Sequence, residues 1–198
     1  MSRHAEWKML MGDVFRRCPR CDHRDDLGAI LTERGLRGEG VEVGVWLGDY
    51  AARILDRSEL RRLHCVDSWA KMDDYRDRRD DEYDPQDYDR CAANLSRFGD
   101  RANMIRAMSP QAAEQFADAS MDFVYLDANH SREAVEKDIR AWAPKVRPGG
   151  ILAGHDIMQS YHPGLTDAVV AWLRETNTTA YIIPGDATSW YVTIGGAQ

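Results

Sequence analysis

The sequence contains no apolar run approaching the roughly 18 to 20 residues that would cross a bilayer, and its first residues, Met1-Ser2-Arg3-His4-Ala5-Glu6-Trp7-Lys8, carry no hydrophobic leader. A membrane location is therefore not expected, and the chain reads as cytoplasmic. Positive charge is in deficit: the formal net charge is −7 and the pI about 5.4. A groove for a phosphate backbone needs clustered basic side chains, so nucleic acid is not the expected partner. Cysteine is scarce, and only Cys18-Pro19-Arg20-Cys21 has a suggestive spacing. With His23 beside it, that pair is half a zinc site, but no second pair follows; the expected reading is two reduced thiols near a surface turn. Cys65 sits in an apolar run, where a thiol acts as a small core residue. Gly-x-Gly-x-x-Gly is missing as well, which disfavours a nicotinamide-dependent oxidoreductase.

What is present suits one globular unit: 198 residues, 43% hydrophobic and 30% charged, with no internal repeat and no low-complexity linker. Residues 1–37 read as an amphipathic helical flank or lid in two pieces, around Trp7 to Phe15 and Leu27 to Arg37. From there strands and helices alternate. Val41 to Val43 runs into Gly44, Trp46 and Gly48 and then into a helix from Tyr50, so the glycines fall at a strand-to-helix turn where backbone can approach a ligand. Leu60 to Asp67 is a second strand, Asn103 to Met108 a third, Met121 to Asp127 a fourth and Ile151 to Asp156 a fifth. Between the second and third, residues 68–90 turn to Asp, Arg and Tyr and predict a charged flap, followed by a helix from Asp87 to Phe98 stopped by Gly99. Ser109 is expected to cap the helix that Pro110 opens, and Ser131 the helix carrying Ala134, Val135, Ile139 and Trp142. Asp122 starts its strand instead of ending it, and a turn or solvent role is expected. A helix from Gly164 to Glu175 and a terminal hairpin around Pro184-Gly185-Asp186 complete the chain. This alternation predicts a doubly wound α/β sheet, whose ligand lies beyond the carboxyl ends of the strands at the topological switch point. Asp67, Asp127, His155 and Asp156 all fall at such ends.

With these residues in place, the chain resembles the class I S-adenosylmethionine-dependent methyltransferases over residues 27–194, and within them a small bacterial single-domain O-methyltransferase-like group. The likeness rests on Phe123-Val124-Tyr125-Leu126-Asp127-Ala128-Asn129-His130-Ser131 and on Lys145 to Asp156. It implies a mostly parallel sheet of seven strands in the order 3-2-1-4-5-7-6 with the seventh antiparallel, filling a Rossmann-like domain over residues 38–198. The family's acid and Gly-x-Gly-x-Gly turn becomes Glu42-Val43-Gly44-Val45-Trp46-Leu47-Gly48, with Trp46 in place of the middle glycine. By resemblance, Glu42 and Gly44 line the methionine part of the cofactor, and Asp67, 67 − 42 = 25 positions further on, receives the ribose hydroxyls. Ser109 is placed near the adenine, Ser68 beside the base, and Trp46, Gly48 and Asp127 in the same cofactor site.

The implied reaction is methylation of a small molecule at a hydroxyl. Transfer from a sulfonium is an in-line displacement, so the protein has to position the acceptor and help its proton leave. His130, His155 and Asp127 are the candidate catalytic residues, since imidazole titrates near neutrality and both rings neighbour a carboxylate at a strand tip. Related enzymes hold a divalent cation, such as magnesium, at the tips of strands four and five. Here Asp127, Asp156 and His155 stand at those positions, with His155 replacing an acid, so a softer metal or no metal stays open. His162 is a candidate border of the acceptor pocket. A nicotinamide-dependent oxidoreductase and a non-catalytic cofactor-binding module remain the alternatives, and whether the chain forms a homo-oligomer is open.

Overall fold

The computed structural model describes residues 9–71, 84–185 and 188–195. Their strands are β1 (Phe15–Arg17), β2 (Glu39–Val43), β3 (Arg62–Asp67), β4 (Ala102–Arg106), β5 (Met121–Leu126), β6 (Val146–Gly154), β7 (Ala180–Ile183) and β8 (Ser189–Thr193). The α-helices are α1 (Asp26–Glu33), α2 (Asp49–Arg57), α3 (Asp87–Leu95), α4 (Ser109–Ala113), α5 (Arg132–Trp142) and α6 (Pro163–Glu175). One eight-stranded sheet runs β1-β7-β8-β6-β5-β2-β3-β4. Read from the β4 edge, its first seven strands reproduce the expected 3-2-1-4-5-7-6 order, and β8 is antiparallel to both β6 and β7.

The eighth strand is the departure. Phe15 was expected at the end of a helix; instead it opens β1, which pairs in parallel with β7, Phe15 opposite Ala180. Phe15 is fully buried while Arg16 and Arg17 face solvent. Three residues carry too little pattern to separate a strand from the end of an amphipathic helix, and pairing with an open sheet edge decides the matter. Residues 9–13 are helical and α1 follows from Asp26, so the flank is helical on either side of β1. Most of the expected flap falls on residues 72–83, outside the described residues.

Because side chains alternate across a strand, the central strands feed two cores. Val41, Val43, Val124, Leu126 and Leu152 face one side, where α5 and α6 bring Ile139, Trp142, Val169 and Leu173. Leu63, Cys65, Phe123, Tyr125 and Ile151 face the other, under α1 and α2 with Leu27, Leu31, Ile54 and Leu55. Each such large side chain, fully buried, contributes about 1.5–3 kcal/mol. β2 lies between β5 and β3, so the chain winds one way through β3 and β4 and the other way through β5 and β6. The switch point is thus the gap beyond β2 and β5, where the Asp127 N–H donates to Val43 O (2.8 Å) and the Gly44 N–H to Val66 O (2.9 Å).

Four local expectations are revised or sharpened. Asp122 is 5% exposed, not solvated; Gly38 N–H (2.7 Å) and the Arg147 guanidinium donate to its two oxygens, which offsets the burial and ties β5 to the start of β2 and to β6. Cys18 and Cys21 are buried, Cys18 Sγ lying 3.8 Å from the Tyr191 hydroxyl, and burial pushes the Cys21 thiol well up in pKa. Ser109 does not cap α4; it is the first helical residue, and its hydroxyl turns to Asp138. Finally, α3 ends at Leu95 and continues as a 3-10 stretch, Ser96–Arg101, in which Gly99 takes φ +53. Ser131 caps α5 as expected, accepting from Ala134 N–H (3.3 Å).

Candidate active site

The turn after β2 is built on backbone that only particular residues tolerate. Gly44 has φ +88, and a Cβ there would sit 2.1 Å from the Asp127 carbonyl oxygen. Trp46 occupies the left-handed region at φ +49, unusual for a bulky residue. Hydrogen bonds hold it: its N–H donates to Asp67 Oδ2 (2.9 Å), its indole N–H to Asp87 Oδ2 (3.0 Å), and its carbonyl accepts from the Trp69 indole (2.8 Å). The Trp69 N–H donates to Asp67 Oδ1 (2.8 Å), so the carboxylate at the tip of β3 is fixed from both sides. The tryptophan at the middle position of the turn is thereby built into the mount of Asp67.

A cavity of about 550 Å³ opens over these strand ends. Gly44, Trp46, Asp67, Ser68, Ser109 and Asp127 line it. Gly48 does not: at φ +80 it starts α2, and a Cβ there would press on Cys91 Sγ (3.0 Å) and Leu95 (3.1 Å). Glu42 lies beneath the lining, 2% exposed, with no hydrogen-bond partner for Oε2 among the described residues. Burial and the nearby Asp127 charge lift its pKa well above the carboxylate range, against the pull of Arg24.

Asp127 joins this cavity to a second group of side chains. His130 Nε2 lies 3.6 Å from Asp127 Oδ1 and 3.2 Å from Asp156 Oδ2; His155 Nδ1 lies 3.5 Å from Asp127 Oδ2 and 3.4 Å from Asp156 Oδ2. The four thus alternate acid and base, and Asp156 is held there in a left-handed conformation, φ +51. The His162 ring packs on His130 with centroids 4.2 Å apart, at the edge of the cluster. His130, His155 and Asp156 stand outside the cavity lining, on the far side of Asp127. Burial disfavours both imidazolium ions, but ion pairing with Asp127 and Asp156 prevails and raises His130 to about 10 and His155 to about 9. Burial likewise opposes the two carboxylates, and the paired rings nevertheless hold both below their ordinary range.

Two residues absent from the sequence reading belong to the site. Arg24 Nη1 donates to Asp127 Oδ2 at 3.3 Å, and its guanidinium carbon lies 4.4 Å from the centre of the Tyr50 ring. The Tyr50 hydroxyl donates to the Arg24 carbonyl (3.0 Å), pinning the flank to α2. Nothing in the spacing pairs residues 103 positions apart. Asp138 also lines the cavity, 6% exposed, and accepts from the Ser109 hydroxyl. Its signal was available: position 138 falls among Val135, Ile139 and Trp142 on the buried stripe of α5, where a charge is out of pattern.

The donor atoms of Asp127, His155 and Asp156 lie within 4.8 Å of one another, as do those of His130, Asp156 and His162. Mixed carboxylate and imidazole donors fit a borderline divalent cation better than magnesium, which prefers an oxygen shell. No helix among the described residues is long and apolar enough to cross a membrane.

Residues 41–157 match the family described as methyltransferase domain. An uncharacterized protein of Sinorhizobium fredii, y4gI, is 26% identical over 74 residues, a stretch that takes up 37% of this chain and only 8% of that protein. Among solved structures, a proposed caffeoyl-CoA O-methyltransferase from Staphylococcus aureus aligns with a TM-score of 0.65 at 13% identity, covering 98% of this chain and 92% of that one. An O-methyltransferase from Bacillus cereus in complex with SAH aligns at 0.62 and 14%, covering 85% and 79%. An rRNA methylase from Streptococcus thermophilus aligns at 0.60 and 13%, covering 85% and 92%, so the fold by itself does not choose the acceptor. With the sheet order, the strand-tip acids and a family match over more than half of its length, the chain belongs to the class I S-adenosylmethionine-dependent methyltransferases.

Proposed function

We propose that the protein methylates a hydroxyl oxygen of a small molecule. The observation that carries this reading is the Asp127, His130, His155 and Asp156 cluster, set against the cofactor cavity through Asp127. In this reading Gly44 and Trp46 supply the backbone surface for the cofactor, Asp67 takes the ribose hydroxyls, Ser68 and Ser109 border the base, and Glu42 sits under the methionine end. Gly48 serves the turn by starting α2 and carries no ligand contact.

Displacement at the sulfonium asks mainly for alignment, and a hydroxyl acceptor also asks for loss of its proton. In this reading that proton passes to the Asp127 carboxylate as the oxygen–methyl bond forms and the sulfur–methyl bond breaks, and His130 and His155, whose cationic forms the two carboxylates favour, stand behind Asp127 and position it. Asp127, the member of the cluster that reaches the cavity, fixes both rings and faces the reacting oxygen. If a divalent cation is bound, Asp127, His155 and Asp156 are the residues that would hold it, and its chemistry is to polarise the acceptor oxygen. His162, whose ring lies tilted against His130, borders the acceptor's approach. The acidic balance of the chain favours a small acceptor over RNA, and its free cysteines suit the cytoplasm.

Calorimetric titration tests the cofactor: S-adenosylmethionine should bind and NAD should not. Product analysis then tests the chemistry. Pooled phenols, sugars and hydroxy acids incubated with protein and S-adenosylmethionine should yield a methyl ether; repeating the assay with a chelator, and with manganese or magnesium restored, reports whether a cation takes part. Binding of NAD alone, or methylation of RNA alone, would overturn the reading.

A further inference from the structure

The loop between β6 and α6 presents an aromatic side chain that the core does not use. Tyr161 is 64% exposed, the most exposed large hydrophobic residue among those described. The loop beneath it is firmly held. Ile157 is fully buried and its N–H donates to the Thr188 carbonyl (3.0 Å), while the Met158 N–H donates to the Thr166 hydroxyl (2.8 Å). Asp156 and Met158 both take the left-handed conformation, at φ +51 and φ +63. Such backbone is costly for residues with side chains, and the cost collects where a loop has to present something. From Tyr161 a series of rings leads inward: its edge meets His162 with centroids 4.5 Å apart at 76°, and His162 lies tilted against His130 at 4.2 Å. Tyr161 thus stands at the outer end of a shelf whose inner end is the cluster of Asp127, His130, His155 and Asp156.

The chemistry along that shelf says what lies on it. Asp127, His130, His155, Asp156, His162 and Arg24, the side chains that meet at its inner end, are all polar. An aryl acceptor is held between apolar walls, which this set does not supply. A hydroxyl both donates and accepts, so neighbouring hydroxyls on one ring can each give a hydrogen bond to a carboxylate and take one from an imidazolium, matching the alternation of acid and base in the cluster. Tyr161 adds a flat apolar surface open to solvent. Its negative ring face suits the C–H face of a saturated ring. We propose that the acceptor is a saturated polyhydroxylated ring, a glycoside, which lays its C–H face on Tyr161 and brings one hydroxyl to Asp127. The inference rests on the proposed transfer to oxygen at the Asp127 cluster and names the acceptor class of that site.

Separate pools of methyl hexopyranosides, simple phenols and 2-hydroxy acids, each incubated with the protein and S-adenosylmethionine and read by mass spectrometry, test the class. The glycosides should gain a ring methyl ether with kcat/KM at least about tenfold above any phenol, since a site built around hydroxyl hydrogen bonds rejects an acceptor that cannot fill them. On the best glycoside, Tyr161→Ala should raise KM by about tenfold, with the loss in KM and not in kcat and with S-adenosylhomocysteine affinity kept. Tyr161→Phe retains the ring and should stay within about threefold of the natural chain. Ethers on phenols or hydroxy acids but on no glycoside, or a phenol used as well as the best glycoside, would overturn the inference and leave transfer to oxygen standing. An unchanged KM in Tyr161→Ala would overturn it as well. Should Tyr161→Ala fail to fold, the pools still decide. Absence of an ether in every pool would overturn the reading of the site as an O-methyltransferase itself, a result distinct from the others.

Discussion

At the end of the crevice proposed for the cofactor, Asp67 is held by the backbone N–H groups of Trp46 and Trp69, both from loops that start within a few residues of strand tips. At the end proposed for the acceptor, Asp127 is held by the side chains of His130, His155 and Arg24, and one of those comes from the N-terminal flank. The first arrangement fixes geometry through the fold, with main-chain N–H groups on both oxygens of its carboxylate. The second concentrates charges of both signs in a small space, where each shifts the others' proton affinity. Backbone mounts suit a cofactor that is the same in every turnover, whereas a charged side-chain cluster can answer to an acceptor and its proton.

The most damaging change should be at the hinge between the two ends. Gly44→Ala places a Cβ against the Asp127 carbonyl at a φ of +88, and should cost about 3–5 kcal/mol in thermal or denaturant unfolding while abolishing S-adenosylhomocysteine binding. If the variant melts like the natural chain, the two ends are not joined through this contact. Next, Asp67→Ala should weaken S-adenosylhomocysteine by about 100-fold, or near 3 kcal/mol, with the acceptor cluster undisturbed. An affinity within threefold of the natural chain would remove Asp67 from the cofactor end.

Arg24→Met tests the other side. It strips Asp127 of a partner that cannot lose its charge, and should lower stability by about 2 kcal/mol while leaving S-adenosylhomocysteine affinity within threefold, because Arg24 stands behind Asp127 and outside the cavity. A large loss of cofactor affinity would merge the two regions into one. The smallest effect is expected from pH. The Asp138 carboxyl, near 6 in the folded protein against 3.8 for an ordinary aspartate, holds its proton longer than the unfolded chain does. Unfolding therefore releases a proton between those values, and stability falls as pH rises from about 4 to 6, then levels. Asp138→Asn should flatten that segment of the curve and gain about 1–2 kcal/mol at pH 7; a curve that keeps the natural slope would assign it to another group.

The same contrast accounts for what could be read from the sequence. Asp67, Asp127, His155 and Asp156 stood out because each ends an apolar run, and burial of those runs on both faces of a parallel sheet forces their polar ends into one crevice. The glycine turn was legible for a related reason, since Gly44 must take a backbone conformation that side chains resist. Arg24 was not, because its pairing with Asp127 depends on α1 packing over α2 and on β1 joining the β7 edge, neither of which local periodicity encodes. Asp122 misled for the converse reason: a charge at the start of a strand looks solvated until Arg147 and the Gly38 N–H arrive from other elements. Asp138 lay between these cases, visible as a charge on an apolar stripe but without a partner to explain it.

The central claim is that the methyl group passes to oxygen at the Asp127 end. Incubating the protein with S-adenosylmethionine labelled with carbon-13 in its methyl group, together with the pooled hydroxyl acceptors and a short RNA, and reading the carbon-13 spectrum of the products tests this directly. The account predicts a methoxy resonance on a small molecule, matched by S-adenosylhomocysteine formed in equal amount and lost in Asp127→Asn. A label found on nitrogen, on carbon or in the RNA, or a methoxy product formed undiminished by Asp127→Asn, would contradict it.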